Sequence, residues 1–186
     1  MTFRDDATLR LRAFHADGRT GDWVTIRYEK CGFARPAEPR ETQPGLLAEW
    51  YFKRFPDCAA IGGAQADGRC VADSVHFPQE ATGRRAVGIV FRGYIDVPEK
   101  GIHTFALASN DGSVLRIGDR VVIDNDGEHP LLEKTGQAAL SAGLHPLELR
   151  FFDYNGGKVQ LSLVSEDGSR RTLDGKWLRH VPAESR

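Results

Sequence analysis

The sequence is poor in features that mark several functional classes. Its 186 residues include only three cysteines, and 25 basic side chains stand against 26 acidic ones. Because the charges balance and Lys and Arg are scattered, nucleic acid is not an expected partner. No apolar run approaches the roughly 20 residues that cross a bilayer, so no membrane span is expected. The first residues lack the apolar core of a signal peptide, although the chain could equally be a piece of a longer exported protein.

Motifs of common catalytic sites are missing too. The sequence has no G-x-S-x-G, no H-E-x-x-H, no Gly-rich phosphate loop and no Cys-x-x-Cys. We therefore expect a chain that is not itself an enzyme. A glycosidase carboxylate pair has no spacing rule, which leaves an autonomous hydrolase as the least favoured alternative.

The three cysteines point to no metal site. Cys31 has no histidines near it at metal-ligand spacing, which argues against zinc. Cys58 and Cys70 flank a loop rich in Gly and Ala that a disulfide could close. A disulfide and two free thiols are both open alternatives for this pair.

Alternating apolar and polar residues are abundant. Such period-two runs are typical of half-buried strands, and they occur at residues 47–52, 89–97, 105–107, 115–117, 147–151 and 159–163. Turn residues that tolerate positive φ separate them. Many short strands with close turns predict an all-β fold, an antiparallel β-sandwich or barrel. Residues 57–85 have weak periodicity and are expected to form a long, partly irregular loop.

The chain divides at a proline-rich stretch. Two alternating runs, Thr8 to Phe14 and Trp23 to Glu29, predict a β-hairpin within residues 1–34. Residues 35–44 contain three prolines and no apolar period, which predicts an extended linker. The main sandwich is expected at 45–182, with a tail at 183–186. Because a lone hairpin is at best marginally stable, it must pack on the sandwich or end a truncated Ig-like domain.

Several stretches in sequence order carry a family resemblance. They are Phe91 to Phe105, Ser109 to Ile117, Val121 to His129, Glu133 to Gly136, Leu140 to Leu147 and Phe151 to Asp153. Together they resemble the protective-antigen fourteen (PA14) domain, in register from Gly45 to about His180. The resemblance implies a β-sandwich that occurs in glycosidases, adhesins, flocculins and toxins, usually as a binding module. The hairpin is similar to the last strands of an Ig-like domain of some hexosaminidase-type glycosidases.

The resemblance also implies a calcium site. Sugar-binding members of the family hold Ca²⁺ with two adjacent acidic residues joined by a cis peptide, and Asn110 and Asp111 stand there in this sequence. It further implies Asp153 as a metal ligand, with Tyr154 and Asn155 beside it in the ligand-binding loop. An Asn oxygen can replace one acid without adding charge, so weakened Ca²⁺ binding is expected. The alternative is a plain hairpin turn, with Asp153 capping a loop.

Five aromatic residues could offer a stacking surface to sugar rings, or pack in the core or at its edge: Trp50, Tyr94, Phe152, Tyr154 and Trp177. Tyr154 is the favoured candidate because it lies beside the proposed metal loop.

A second acidic stretch, Asp124 to Glu128, superficially resembles a helix–loop–helix calcium loop. Such a loop needs a carboxylate at its twelfth position, which is Thr135 here. The stretch is therefore expected to be a structural turn whose side chains bond the backbone. His129 and His145, near turns, are expected to be architectural or surface residues.

These observations favour a non-catalytic carbohydrate-binding module with Ca²⁺ as a cofactor and a glycan or oligosaccharide as partner. We expect it to belong to a larger carbohydrate-active or cell-surface protein, extracellular or periplasmic, with an adjacent glycosidase domain as a further candidate partner. The alternative is a structural or protein-interaction module that shapes a neighbouring glycosidase domain without binding sugar or metal.

Overall fold

A computed structural model describes residues 5–63, 65–154 and 156–182 of the chain. The predicted tail at 183–186 lies outside the described residues. The chain divides into two compact units, Met1–Gly32 and Phe33–Arg186. Within the described residues, no helix is long and apolar enough to cross a membrane.

The first unit is the hairpin that the alternating pattern predicts. Strand β1 (Ala7–Leu11) pairs antiparallel with β2 (Val24–Tyr28). Strand β1 begins one residue before and ends three residues before the predicted run, whereas β2 is one residue shorter at each end. The Trp23 ring lies under the guanidinium groups of Arg10 and Arg12, at 4.8 and 5.5 Å. Cation–π contacts of this kind supply packing that two strands cannot draw from a core of their own.

The described residues of the second unit form twelve strands and one short 3-10 helix, Gln79–Ala81. The strands are β3 (Gln43–Pro44), β4 (Leu46–Tyr51), β5 (Gly68–Ala72), β6 (Val87–Val97), β7 (Gly101–Asn110), β8 (Ser113–Ile117), β9 (Arg120–Asn125), β10 (Leu132–Leu140), β11 (Gly143–Asp153), β12 (Lys158–Val164), β13 (Arg170–Thr172) and β14 (Leu178–His180). The predicted all-β class is confirmed.

Two antiparallel sheets form a sandwich. In the larger sheet, β6 pairs with β11, β11 pairs with β8, and β8 pairs with β9. Strands β4 and β14 pair with the other edge of β6. The smaller sheet runs β10, β7, β12, β13. Neither sheet closes on itself, so of the two expected architectures the sandwich is the one observed.

The core lies between the sheets and explains the alternation of the sequence. Residues at every second position point inward, and the large fully buried ones include Phe91, Phe105, Leu107, Leu115, Leu149 and Phe151. Burying an aromatic or leucine side chain stabilises the fold by about 1.5–3 kcal/mol relative to leaving it in water. The core therefore fixes strand register, because a slip of one residue would move every inward side chain to the opposite face.

The proline-rich segment is bonded to strands of the second unit. Ala34 forms a parallel bridge with Leu140, Ala37 bridges Leu144, and Gln43–Pro44 is an edge strand paired with β14. The unit boundary falls at 32/33, before this segment, rather than at its end. The non-proline residues of a proline-rich segment can still form backbone hydrogen bonds with a neighbouring strand. The apolar period of the sequence does not reveal such bonds.

A loop covers part of the outer face of the larger sheet. Phe55, Cys58 and Ile61 pack on Val90 and Phe152, in a cluster separate from the main core. Arg150 holds this loop through bonds from its Nη1 to the loop carbonyls of residues 58, 59 and 61, at 3.1–3.4 Å. The expected irregular loop at 57–85 is present, but it also contains β5 and the 3-10 helix.

Both cysteines in this region are free thiols, so the open disulfide alternative is not realised. Burial, with help from Asp126, raises the pKa of the Cys58 thiol. Burial also raises the pKa of Cys70, with Glu80 nearby. Both thiols therefore favour the protonated, unreactive form.

A row of charged side chains crosses the uncovered part of this outer face. Arg92 donates to Glu49 at 2.6 Å and to Glu148 at 3.0 Å, and Arg150 donates to Glu148 at 2.7 Å. Burial alone would raise the pKa of Glu148, but Arg150 and Arg92 outweigh it and hold the pKa below its ordinary value.

Glu148 should make the stability of the protein sensitive to acid. Its folded-state pKa is depressed, so its contribution is complete above the unfolded-state value of about 4.3 and is lost as the pH falls through the folded-state pKa. We expect the melting temperature to fall from about pH 5 downward, and Glu148→Gln to flatten that fall. Glu166→Gln, at an exposed turn, is the matched control. Identical pH profiles for Glu148→Gln and the unmodified chain would contradict this assignment.

Candidate metal and ligand site

The turn between β7 and β8 carries the first two predicted ligands. Asn110 is the last residue of β7, Asp111 and Gly112 form the turn, and the peptide bond between Asn110 and Asp111 is cis. The buried hydroxyls of Ser109 and Ser113 meet at 2.7 Å and close the base of this turn. The resemblance implied such a cis pair at this position.

Two backbone amides fix the carboxylate of Asp111. The amide of His129 donates to Oδ1 and the amide of Tyr154 donates to Oδ2, both at 3.2 Å. These donors come from the β9–β10 loop and from the residue after β11, so Asp111 ties three loops together. Only 9% of Asp111 is exposed, and each oxygen still has a lone pair beyond these bonds.

Asp153, at the end of β11, is fully buried. The amide of Gly156 donates to its Oδ2 at 2.6 Å, whereas its Oδ1 has no hydrogen-bond partner among the described residues. A Cβ added to Gly157 would collide with both this Oδ1 and the backbone carbonyl oxygen of Asn110. Those two oxygens therefore face the same small space, and a buried carboxylate oxygen without a partner is costly.

The donor set suits a hard, oxygen-preferring cation. Among residues 5–63, 65–154 and 156–182, no group of three or more His, Cys, Asp or Glu side chains could hold a metal. A site here would need two carboxylates, from Asp111 and Asp153, with amide and carbonyl oxygens such as those of Asn110. Calcium accepts that mixture, whereas zinc and other softer ions prefer His and Cys.

Tyr154 does not form the exposed platform that the sequence favoured. Its ring is almost fully buried, lies 5.4 Å from the Phe152 ring and is covered by the Arg54 guanidinium at 4.3 Å. Its hydroxyl donates to the carbonyl of Phe55. Burial raises the pKa of Tyr154, as do the carboxylates of Glu128 and Asp111, against the opposing effect of Arg54. The stacking interpretation is wrong because the loop over the sheet takes this ring into its own cluster.

The other predicted ligand-loop residue, Asn155, lies outside the described residues. Of the remaining aromatic candidates, Trp50 and Phe152 are buried, while Tyr94 and Trp177 are half-buried. The structure therefore brings Asn110, Asp111, Asp153 and the backbone of Tyr154 together, and it exposes none of these aromatic rings fully.

Behind the turn at Asp111 lies a buried polar network that the sequence pattern does not predict. Asn125 donates from Nδ2 to Ser109 at 3.1 Å and to the carbonyl of Leu132 at 3.2 Å. The His129 ring contacts two backbone carbonyls, those of Asn125 and Pro130, at 2.9 and 2.8 Å. The only sequence signal was the clustering of polar residues at strand ends, which is also typical of ordinary turns.

The second acidic stretch is structural, as predicted. Asp126 accepts from the amide of Cys58 through both carboxylate oxygens, at 3.0 and 3.2 Å, and from the amide of Gly127 at 2.9 Å. His145 is buried, with Nε2 at 2.8 Å from the carbonyl of Ser141. Both histidines contact backbone carbonyls, which fits their expected architectural role.

The fold and site together define a β-sandwich domain with an oxygen-rich loop site at one end. The model of the PA14 domain matches residues 42–177. The chain therefore belongs to the PA14 domain family. None of the curated proteins matches this chain.

Solved structures share the fold at low sequence identity. The PA14 domain of the MpAFP antifreeze protein is 20% identical with a TM-score of 0.65, covering 77% of this chain and 94% of that one. The PA14 sugar-binding domain from an RTX adhesin is 15% identical, with a TM-score of 0.63 and coverages of 75% and 99%. The Epithelial Adhesin 6 A domain from Candida glabrata is 13% identical, with a TM-score of 0.58 and coverages of 77% and 89%.

Proposed function

We propose that this chain is a non-catalytic carbohydrate-binding module whose glycan site is formed by the loops after β7 and β11 and depends on Ca²⁺. The observation that carries the proposal is the buried Oδ1 of Asp153, which lacks a partner among the described residues and faces the carbonyl oxygen of Asn110. A cation there would satisfy both oxygens, beside the nearly buried carboxylate of Asp111.

Neighbouring structures support the sugar half of the proposal. The RTX adhesin domain is described as sugar-binding, and the Candida glabrata adhesin 6 domain was solved with Galb1-3GlcNAc. Both domains share the sandwich but little sequence with this chain. They therefore make a glycan the first ligand class to test here.

The chain's own residues have separate tasks in this proposal. Asp111, Asp153 and the oxygens of Asn110 would hold the ion, which when bound supplies a positive centre for sugar hydroxyl oxygens. The amides of His129 and Tyr154 orient the Asp111 carboxylate. Since Asn110 brings no charge, the cis pair supplies one carboxylate where the resemblance implied two, and weaker ion binding is the consequence.

The proposal extends to the setting of the module. A glycan-binding domain without a catalytic motif would serve to bring a larger carbohydrate-active or cell-surface protein to its glycan. We place that larger protein outside the cell or in the periplasm. A structural module beside a glycosidase domain is the second candidate, favoured by the neutral Asn110 and by the burial of the Tyr154 ring.

A glycan array tests the proposal. We expect the unmodified chain to retain at least one glycan in millimolar Ca²⁺ and to lose it in EDTA. Asp111→Asn should lose more than about tenfold of the signal, because a charged ligand of the ion is replaced by a neutral one. Asp119→Asn, an exposed turn residue, is the matched control and should bind normally. Glycan retention that EDTA does not change would contradict the metal part of the proposal. If no glycan is retained, the structural module is favoured.

A further inference from the structure

The part of the larger sheet's outer face that the loop at 52–63 leaves open forms a groove of about 460 Å³. It lies across β6, β11 and β8, away from the turn at Asp111. Its walls combine Leu47, Tyr94 and Pro146 with Arg92, Arg116 and Glu148. The volume falls within the roughly 300–1,000 Å³ typical of ligand pockets.

The charges in this groove do not cancel. Glu148 is in register with Arg116 across β11 and β8, yet both its oxygens are bonded elsewhere, to Arg92 and Arg150. Arg92 is also bonded to Glu49. The groove lining includes two guanidinium groups, those of Arg92 and Arg116, and one carboxylate, that of Glu148.

Arg116 is the cation left over. Its Nη2 donates to the backbone carbonyl of Asp119 at 3.0 Å, and it forms no ion pair with the part of the chain that the structure describes. The remaining guanidinium donors can make charge-assisted bonds to an incoming carboxylate. The groove thus has a net positive charge at one defined end.

The other wall is apolar. Tyr94 is half-buried and Pro146 is exposed on the same face, next to the half-buried Leu47. Aromatic and aliphatic surfaces of this kind suit the C–H faces of a sugar ring, while the ionic row beside them offers donors and acceptors to hydroxyl groups.

We infer that this groove is a second carbohydrate site that binds an acidic sugar, with Arg116 pairing with the sugar carboxylate and Tyr94 contacting its ring. The site shares no side chain with Asn110, Asp111 or Asp153 and needs no metal. It therefore stands whether or not the loop site binds glycan.

Titration of a galacturonic acid trimer into the full chain in EDTA, followed by NMR, tests this inference. We expect amide shifts at Tyr94, Arg116 and Gly118, and a galactose trimer of the same linkage to bind roughly tenfold more weakly because it lacks the charged partner. Arg116→Gln should weaken the acidic trimer roughly tenfold. Arg171→Gln, exposed on the smaller sheet, should change nothing, and Asp111→Asn should leave this binding intact.

Four results would overturn the inference. The first is the absence of amide shifts at about 10 mM of the acidic trimer, and the second is shifts confined to the loops at 110–112 and 153–157. The third is an Arg116→Gln protein that melts at the same temperature as the unmodified chain and binds the acidic trimer with the same affinity. The fourth is an acidic peptide, such as hexaglutamate, that binds as tightly as the acidic trimer. The last result would mean that the groove attracts negative charge without recognising a sugar.

Discussion

Gly157→Ala is expected to lower the free energy of unfolding by about 3 kcal/mol, since an added Cβ overlaps groups that cannot move away cheaply. The nearest atoms are the backbone carbonyl oxygen of Asn110 and the carboxylate of Asp153. Lys158, the next residue, is in register with Asn110 at the start of the β7–β12 pairing. The new methyl group would therefore push apart the two strands that frame the site. Urea denaturation measures this change.

Gly101→Ala is the matched control for Gly157→Ala. Gly101 begins β7, and a Cβ there would meet only His103 Nε2, at 3.7 Å, which is ordinary contact. We expect its effect to stay within about 0.5 kcal/mol. A Gly157→Ala protein as stable as the Gly101→Ala protein would show that the space between Asn110 and Asp153 is wider than the structure gives.

Asp153→Asn should separate the stability of the bare site from its response to calcium. The asparagine oxygen can still accept from the Gly156 amide, and its amide nitrogen can donate toward the Asn110 carbonyl oxygen that faces the same space. It also removes a buried charge. Without Ca²⁺ the variant should therefore be at least as stable as the unmodified chain.

With Ca²⁺ the order should reverse. At a concentration 100 times the dissociation constant, the ion stabilises a protein by about 2.7 kcal/mol. We expect this gain in the unmodified chain and in Asp119→Asn, and little or none in Asp153→Asn, when melting is followed in Ca²⁺ and in EDTA. Equal calcium stabilisation in Asp153→Asn would show that Asp153 does not hold the ion.

The fold could be predicted because apolar and polar residues alternate along its longer strands and turn-forming residues separate them. The runs at β6, β11 and β12 are long enough for their period to be unmistakable, and each is buried on one face. Strands β3, β13 and β14 escaped prediction because two or three residues carry no period. Strand β5 escaped because a Gly-bearing edge strand in a polar stretch has the pattern of a loop.

The site could be predicted only in part. A family resemblance placed Asn110, Asp111 and Asp153, and the structure brings them together. The burial of Tyr154 could not be foreseen, because it depends on a loop about a hundred residues away, whose carbonyl at Phe55 accepts the tyrosine hydroxyl. Contacts between distant segments leave no local pattern in the sequence.

The outer-face groove shows the same limit. Arg92, Arg116 and Glu148 are separate charges in the sequence, spread over 57 positions, and only strand order makes them neighbours. The ion pairs then decide which cation is left without a carboxylate. Such an excess charge arises from geometry rather than from composition, since the chain as a whole is nearly neutral.

Glycan retention by the unmodified chain, measured with Ca²⁺ and again with EDTA, tests the central claim most directly. A calcium-dependent glycan site predicts a signal that appears with the ion, disappears with the chelator and returns when Ca²⁺ is restored. A chain that retains no glycan in either condition would contradict the claim.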